Sequence, residues 1–407
     1  MLLTPRVVAS PTLAVETEDT GGVVVFDSAT GKRARLGKAV AALLQNSANS
    51  VDIERLAGGS NRAAVLDAVK RLTDLGFLIP EDLPRPSLNR TRMSVFPTLY
   101  RAPLLAPGQP PPDIAVLGIP YDSGNLMGAG ARFGPAAVRA ASVECEYRVE
   151  LATGRPAGWL DMNTMERVLA DVTIADWGDL AFHYGEPTET IFSRQSDLVS
   201  TMVGAGSFPL CLGGDHSVSY AAVNAVQKDA PVSVVWLDAH SDCASLASGS
   251  SHHHGNVLRR ILGLRNVLGA VNLGLRGYTT FLGAQNGMPG LSIVPAGVLR
   301  RNFDAALRAV PRGERCYLSV DIDVLDPCFA PGTSTPVPNG LHFAELLDLI
   351  SALARHCRIV AADVVEVNPQ RDPSGITAAT AYSIVTTILA SVRPCGTAPA
   401  RAAGARA

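Results

Sequence analysis

Three short runs carry the residues of this chain that could do chemistry together. Asp238-Ala-His240-Ser-Asp242 places acids and an imidazole two residues apart, directly after the apolar run Val232-Ser-Val-Val-Trp-Leu237. Ser319-Val-Asp321-Ile-Asp323 repeats the arrangement after Cys316-Tyr-Leu-Ser-Val320. Leu212-Gly-Gly-Asp-His216-Ser217 adds a histidine after Phe208-Pro-Leu-Cys-Leu212. Residues i and i+2 of a strand point to the same side, so Asp238 converges with His240, and Asp321 with Asp323. Carboxylates gathered at the ends of buried strands repel one another unless cations lie between them. A mixed carboxylate and imidazole set suits Mn2+, with other borderline divalent ions as alternatives. The competing reading, acids on surface turns or helix caps, fits poorly with runs that each follow an apolar, strand-like stretch.

The elements that must position these residues are legible from residue 112 onward. Strands are expected at 114–118, 172–176, 208–213, 232–238, 267–274, 291–294, 317–321 and 358–363, with helical stretches between them. Apolar strands alternating with helices predict an α/β fold with a mostly parallel central sheet covered on both faces. Active sites of such sheets lie at the carboxyl ends of the strands, which is where every candidate ligand falls.

GGDHS, DAHSD and SVDIDVLDP, in this order, resemble the signature motifs of the ureohydrolase family, the arginases, agmatinases and their relatives. The resemblance covers roughly residues 112–392 and implies a three-layer ureohydrolase-like fold. It also implies hydrolysis of a guanidino compound to urea and an amine at a centre of two Mn2+. Carried over by motif, His216, Asp238, Asp242 and Asp321 would hold one ion. Asp238, His240, Asp321 and Asp323 would hold the other, with Asp238 and Asp321 shared. Leu117-Gly-Ile-Pro-Tyr-Asp122, Gly130 to Arg139, Gly274-Leu-Arg276-Gly277 and Pro331 to Pro336 resemble further stretches of the family. Asp363-Val-Val-Glu366-Val-Asn-Pro369 resembles the segment whose carboxylate binds the guanidinium, which makes Glu366 the matching residue. A planar guanidinium forms paired hydrogen bonds with such an acid. His254, in Ser251-His-His-His-Gly255, matches the family's proton shuttle. It would pass a proton to the leaving amine, while Asp242 orients the attacking water and takes its proton. His252 and His253 are open: entrance or substrate contacts, or a solvated loop. Cys243 either faces the metal site or is buried beside it.

One departure bears on the substrate. Enzymes of the family that act on free arginine continue DAHxD into an Asn-Thr-Pro stretch that helps bind the α-carboxylate. Here Ala244 takes the asparagine's place, and its side chain has no donor. The resemblance therefore points to agmatinase-like substrates or to arginine embedded in a larger molecule.

Bulk properties set the frame. The 407 residues suit one large and one small domain. A formal charge of −2 gives no sign of nucleic acid or an anionic membrane surface as partner. No apolar run approaches the ~18 residues of a membrane span, and the start of the chain does not read as a signal peptide. Seven scattered cysteines suit reduced thiols and a cytoplasmic location.

Prolines break up residues 84–111, read here as a linker, and the Ala-, Gly- and Pro-rich tail 393–407 is expected to be disordered. Before the linker, 1–83 reads as a small α+β domain. A strand at 22–26 and its return at 32–36 precede helices at 37–44, 52–57 and 61–75 and a closing strand at 77–79. The order is winged-helix-like. Gly21 to Asp27, Ala41 to Gln45 and Leu75-Gly-Phe-Leu78 resemble PqqD-like domains, which bind leader peptides of ribosomally made, later modified precursors. DNA binding is disfavoured, because acidic residues up to Asp82 outnumber basic ones. A structural cap is the other alternative. Both resemblances together imply a peptide arginase that converts arginine side chains of a precursor peptide to ornithine, with an agmatinase-like hydrolase of a free guanidino compound as the alternative. A homo-oligomer, trimer or hexamer, is implied by resemblance alone.

Overall fold

A computed structural model describes residues 98–392 apart from 106–109, 126, 151–154, 184, 245–251 and 279–286, and earlier segments 6–9, 13–17, 23–27, 33–36, 40, 51–52, 62–74 and 77–80. The chain divides into two compact units, Met1–Val95 with Val149–Arg155, and Phe96–Arg148 with Pro156–Ala407.

The smaller unit holds two three-stranded sheets. Strands β1 (Arg6–Ala9), β2 (Leu13–Thr17), β3 (Val23–Asp27), β4 (Arg33–Leu36), β5 (Val51–Asp52) and β6 (Leu78–Pro80) pair in the orders β5-β1-β6 and β2-β3-β4, all antiparallel. Helix α1 (Arg62–Asp74) buries Val69 and Leu72 against Val23, Val25, Phe77 and Leu78. The first two strands were not legible in the sequence. Asp52, read as opening a helix, instead pairs with Arg6 in a strand. The helix expected at 37–44 lies almost wholly outside the described residues, as does the rest of the one expected at 52–57.

The larger unit is built on β7 (Ile114–Ile119), β10 (Ile174–Asp179), β11 (Phe208–Gly213), β12 (Val232–Leu237), β13 (Val267–Leu273), β14 (Leu291–Val294), β15 (Arg315–Asp321) and β16 (Arg358–Val365), with β8 (Trp159–Leu160) and β9 (Arg167–Val168) forming a separate hairpin. The eight-stranded sheet runs β10-β7-β11-β16-β15-β12-β13-β14, and every neighbouring pair is parallel. Alternate side chains go to opposite cores. Val116, Leu210, Leu212, Leu318 and Val364 face a cluster with Leu346, Leu349, Leu353, Ile384 and Ile388, which come from helices at Phe343–His356 and Ile376–Ser391. Leu117, Ile119, Cys211, Trp236 and Tyr317 face another with Ile191, Val199, Ala222 and Val257, from helices at Thr188–Gly204, Ser219–Asp229 and Val257–Leu262. A sheet buried on both faces gives strands that read as apolar runs, which made the inner strands legible; the edge strands β10 and β14 are partly exposed. The product is a three-layer α/β fold.

Part of the span expected as linker belongs to this unit. Leu99 and Tyr100 are fully buried, Leu99 N–H donates to Asp176 Oδ2 at 2.8 Å, and Leu104 bridges to Asp176. Prolines exclude helix and sheet interior, but they leave extended chain free to pack. The tail 393–407 lies outside the described residues. Among the described residues, no helix is long and apolar enough to cross a membrane, and cysteines 145, 211, 243, 316, 328 and 357 are free.

Candidate active site

Four adjacent strands, β11, β16, β15 and β12, end side by side, and each delivers its chemistry at that end. His216 follows β11, Glu366 follows β16, Asp321 closes β15, and Asp238 follows β12. Parallel register makes this convergence automatic: residues far apart in sequence share one rim.

His216 Nδ1 lies 3.2 Å from Asp238 Oδ2, from Asp242 Oδ2 and from Asp321 Oδ2. His240 Nδ1 lies 3.0 Å from Asp323 Oδ2 and 3.5 Å from Asp238 Oδ1. Among the described residues, two groups could hold a metal: His216, Asp238 and Asp321, and Asp238, His240 and Asp323, with Asp238 common to both. Asp321 stands in the first group only; its Oδ1 accepts the Asp323 N–H at 2.8 Å and its Oδ2 faces His216. Asp242 reaches the cluster from a left-handed backbone, φ 47°, a conformation that costs a non-glycine residue energy and recurs at functional sites.

The donor set fits a cation. Ser319 Oγ gives its proton to Asp363 Oδ1 at 2.6 Å, so at 2.8 Å from His216 Nε2 it accepts. The His216 proton is then on Nε2, and the Nδ1 lone pair points at three carboxylates. Nδ1 is buried and has no hydrogen-bond partner. A lone pair ringed by anions is repulsive unless a positive ion lies between them. Trp236 fixes the ring further, stacking on it at 3.9 Å and donating from Nε1 to Asp238 Oδ2 at 2.8 Å. Charge crowding appears in the acids themselves. Burial, then the charges of Asp323 and Asp238, pushes Asp321 well above the ordinary carboxylate range. Burial, then Asp238, pushes Asp242 up to about 7.

Beside this cluster lies a second acid–imidazole pair. Glu366 is almost fully buried, and its backbone is also left-handed, φ 62°. Its Oε1 accepts the His216 backbone N–H at 3.0 Å and lies 3.1 Å from His254 Nδ1. Burial pulls the His254 pKa down, but the bond and charge of Glu366, then Asp242 and Asp215, raise it overall. A histidine that stays protonated toward neutral pH is a proton donor.

The remaining candidates separate. His252 is buried away from the cluster: Arg260 donates to its Nδ1 at 2.6 Å, its Nε2 lies 3.4 Å from Glu189 Oε1, and its ring meets Phe192 edge-on at 4.8 Å. It anchors the loop that carries His254. His253 Nδ1 accepts the Gly255 N–H at 2.9 Å and so caps the following turn. Cys243 is buried, and burial, then Asp242, pushes its thiol up to about 12, which keeps it neutral. Two groups escaped sequence reasoning. Asn125 donates from Nδ2 to Glu366 Oε2 at 3.2 Å. Asp215, fully buried and pushed up to about 7 by burial and then Glu366, lies behind them. Asn125 carried no periodic or paired signal; Asp215 lay within GGDHS but read only as a spacer.

Acids and imidazoles able to hold divalent cations at the carboxyl ends of a parallel sheet, with a buried acid beside them, are the site class of a metal-dependent α/β hydrolase. Residues 112–390 match the arginase family, and the chain belongs to it. It is 35% identical over 306 residues to proclavaminate amidinohydrolase of Streptomyces clavuligerus, covering 72% of this chain and 92% of that one. It is 36% identical over 279 residues to the mitochondrial agmatinase of Gallus gallus, covering 65% and 77%. The solved structure of the Streptomyces clavuligerus enzyme superposes with a TM-score of 0.62 at 32% identity, over 73% of this chain and 96% of that one. Enzymes of this family are binuclear metal hydrolases, and this chain is a ureohydrolase acting on guanidino C–N bonds.

Proposed function

We propose that the chain hydrolyses a free small guanidino compound to urea and an amine, using two Mn2+. The observation that carries the reading is Glu366, a buried acid beside the ligand groups with one oxygen shared by His216 N–H and His254. The relatives' names support the substrate class: proclavaminate amidinohydrolase, agmatinase and guanidinobutyrase. Ala244 is exposed and without a donor, so a free α-carboxylate gains nothing at that position.

In this reading His216, Asp238, Asp242 and Asp321 hold one ion, and Asp238, His240 and Asp323, joined by Asp321 when the ion is bound, hold the other. When bound, the ions supply a water made acidic enough to attack at neutral pH. Glu366 holds the guanidinium by paired hydrogen bonds and fixes its carbon against the ligand cluster. Asp242 orients the attacking water and takes its proton. As the bond from the central carbon to the substrate's amine nitrogen breaks, His254 gives that nitrogen a proton. Urea and a protonated amine leave.

A second reading is a peptide arginase in which a PqqD-like unit at 1–83, joined through 84–111, binds the leader of a precursor and core arginines become ornithine. Ala244 favours it equally, since an arginine within a peptide has no free α-carboxylate. The test compares urea release by the Mn2+-loaded chain from agmatine, 4-guanidinobutyrate, free arginine and an arginine peptide blocked at both ends. The free-compound reading expects agmatine or 4-guanidinobutyrate to exceed the peptide by at least about tenfold in kcat/KM, a transition-state difference of about 1.4 kcal/mol. A preference for the blocked peptide transfers the case to the second reading. Efficient use of free arginine would sink both.

A further inference from the structure

We propose that Asn125 is a positioning residue that holds Glu366 in the one orientation able to pair with a guanidinium. The inference rests on the reading of Glu366 as the guanidinium acceptor. Asn125 sits in the turn after β7. Its N–H donates to Asp122 O at 3.3 Å, and its side-chain Oδ1 accepts the Met127 N–H at 2.8 Å. Because Oδ1 is committed to a backbone donor, the amide's NH2 end must be the one facing Glu366 Oε2, at 3.2 Å. The turn itself is pinned. Asp122 accepts the Gly130 N–H at 2.7 Å and the Arg132 N–H at 3.2 Å on one oxygen, and meets the Arg132 guanidinium at 2.6 Å with the other.

Glu366 thus has a fixed donor on each side: His216 N–H on Oε1 and Asn125 on Oε2. A bidentate guanidinium pair requires both oxygens in one plane facing the ligand, and a carboxylate free to rotate would present that plane only part of the time. His216 N–H and Asn125 are neutral donors, so they fix the plane without adding charge of their own, and His254 approaches Oε1 alone. Glu366 meets the guanidinium in the ground state and in the transition state alike, so Asn125 acts through binding more than through the chemical step. A hydrogen bond to a charged group corresponds to about ten- to a hundredfold in affinity.

Asn125→Asp separates the two ends of the amide. The aspartate still accepts the Met127 N–H, so the turn is kept, but it sets an acceptor against Glu366 in place of a donor. Asn125→Ala removes both. The Mn2+-loaded full chain is assayed with agmatine, and guanidinium chloride at low concentration serves as the binding probe by calorimetry. For Asn125→Asp we expect agmatine KM and guanidinium Kd to rise together by tenfold or more, with kcat changed by less than about threefold. Asn125→Ala should show a smaller rise in both. Unchanged KM and Kd in Asn125→Asp overturn the proposal. So does a fall in kcat alone, or a chain that no longer folds, since either makes Asn125 a residue of the turn and nothing more. Glu366→Gln distinguishes the underlying reading. If it binds guanidinium as tightly as the parent, the role of Glu366 fails; if it loses binding while Asn125→Asp keeps it, only the role of Asn125 fails.

Discussion

Asp238 belongs to both candidate ligand groups, and Asp321, placed in the group around His216, joins the other in the proposed reading. Asp238→Ala and Asp321→Ala should therefore each lower bound metal at both sites. Losing a partner behind a ligand typically costs 10–100-fold in metal affinity or activity, so losing the ligand itself should cost more than about a hundredfold in urea release. Metal analysis beside turnover checks this; two bound ions and parental turnover in either variant would remove these acids from the site. Ser319 is the sharper probe of charge balance. It accepts from His216 Nε2 and passes its own proton to Asp363, which keeps Nδ1 proton-free. Ser319→Ala removes that partner and lets the ring protonate on the wrong nitrogen. Metal affinity should fall about 10–100-fold while all ligands remain. A Mn2+ titration indistinguishable from the parent's would show that the tautomer is fixed by other means.

The elements hold these side chains because the chain between them is tightly packed. Gly214 follows β11, and a Cβ there would lie 1.7 Å from Tyr121 O, far inside contact distance. Glu366 N–H also closes on Gly214 O at 2.9 Å. Gly214→Ala must push the β11 turn off the β7 turn and carry His216 and Glu366 with it. We expect a stability loss of about 3 kcal/mol or more, in the range of severe core substitutions, with metal binding lost in step. A melting temperature within a degree or two of the parent's would show that the turn has slack. The same packing explains what the sequence disclosed. Strands buried on both faces left apolar runs, and the ligands stood at their ends two residues apart, so His216, Asp238, His240, Asp242, Asp321 and Asp323 were legible together. Asn125 and the anchoring role of His252 were not, because each depends on a loop meeting a residue distant in sequence. Leu99 and Tyr100 were hidden by the prolines around them.

On the scale of the whole molecule, the chemistry belongs to one unit. Each of the six candidate ligands, with His254 and Glu366, lies in the unit formed by Phe96–Arg148 and Pro156–Ala407. The other unit has a core of its own, in which Val69, Leu72 and Phe77 are buried against Val23, Val25 and Leu78. A unit with its own core that supplies none of the candidate ligands can be recruiter or scaffold, and the two roles diverge when it is removed. A chain beginning at residue 96 retains every group proposed to hold metal, bind guanidinium or move a proton. If the unit recruits a substrate, the shortened chain should hydrolyse agmatine with kcat/KM within about threefold of the parent, since tethering raises only the local concentration of a tethered substrate. If it is a scaffold, agmatine turnover and thermal stability should fall together. Residues Val149–Arg155, which group with the removed unit, remain behind in this chain, so the comparison includes a second truncation in which they are replaced by a short Gly-Ser link. Metal content is measured in both, because a drop in bound Mn2+ would place the loss in the site itself. Retained metal with agmatine turnover reduced more than tenfold in both truncations would rule out the recruiter and make the smaller unit a scaffold of the active enzyme.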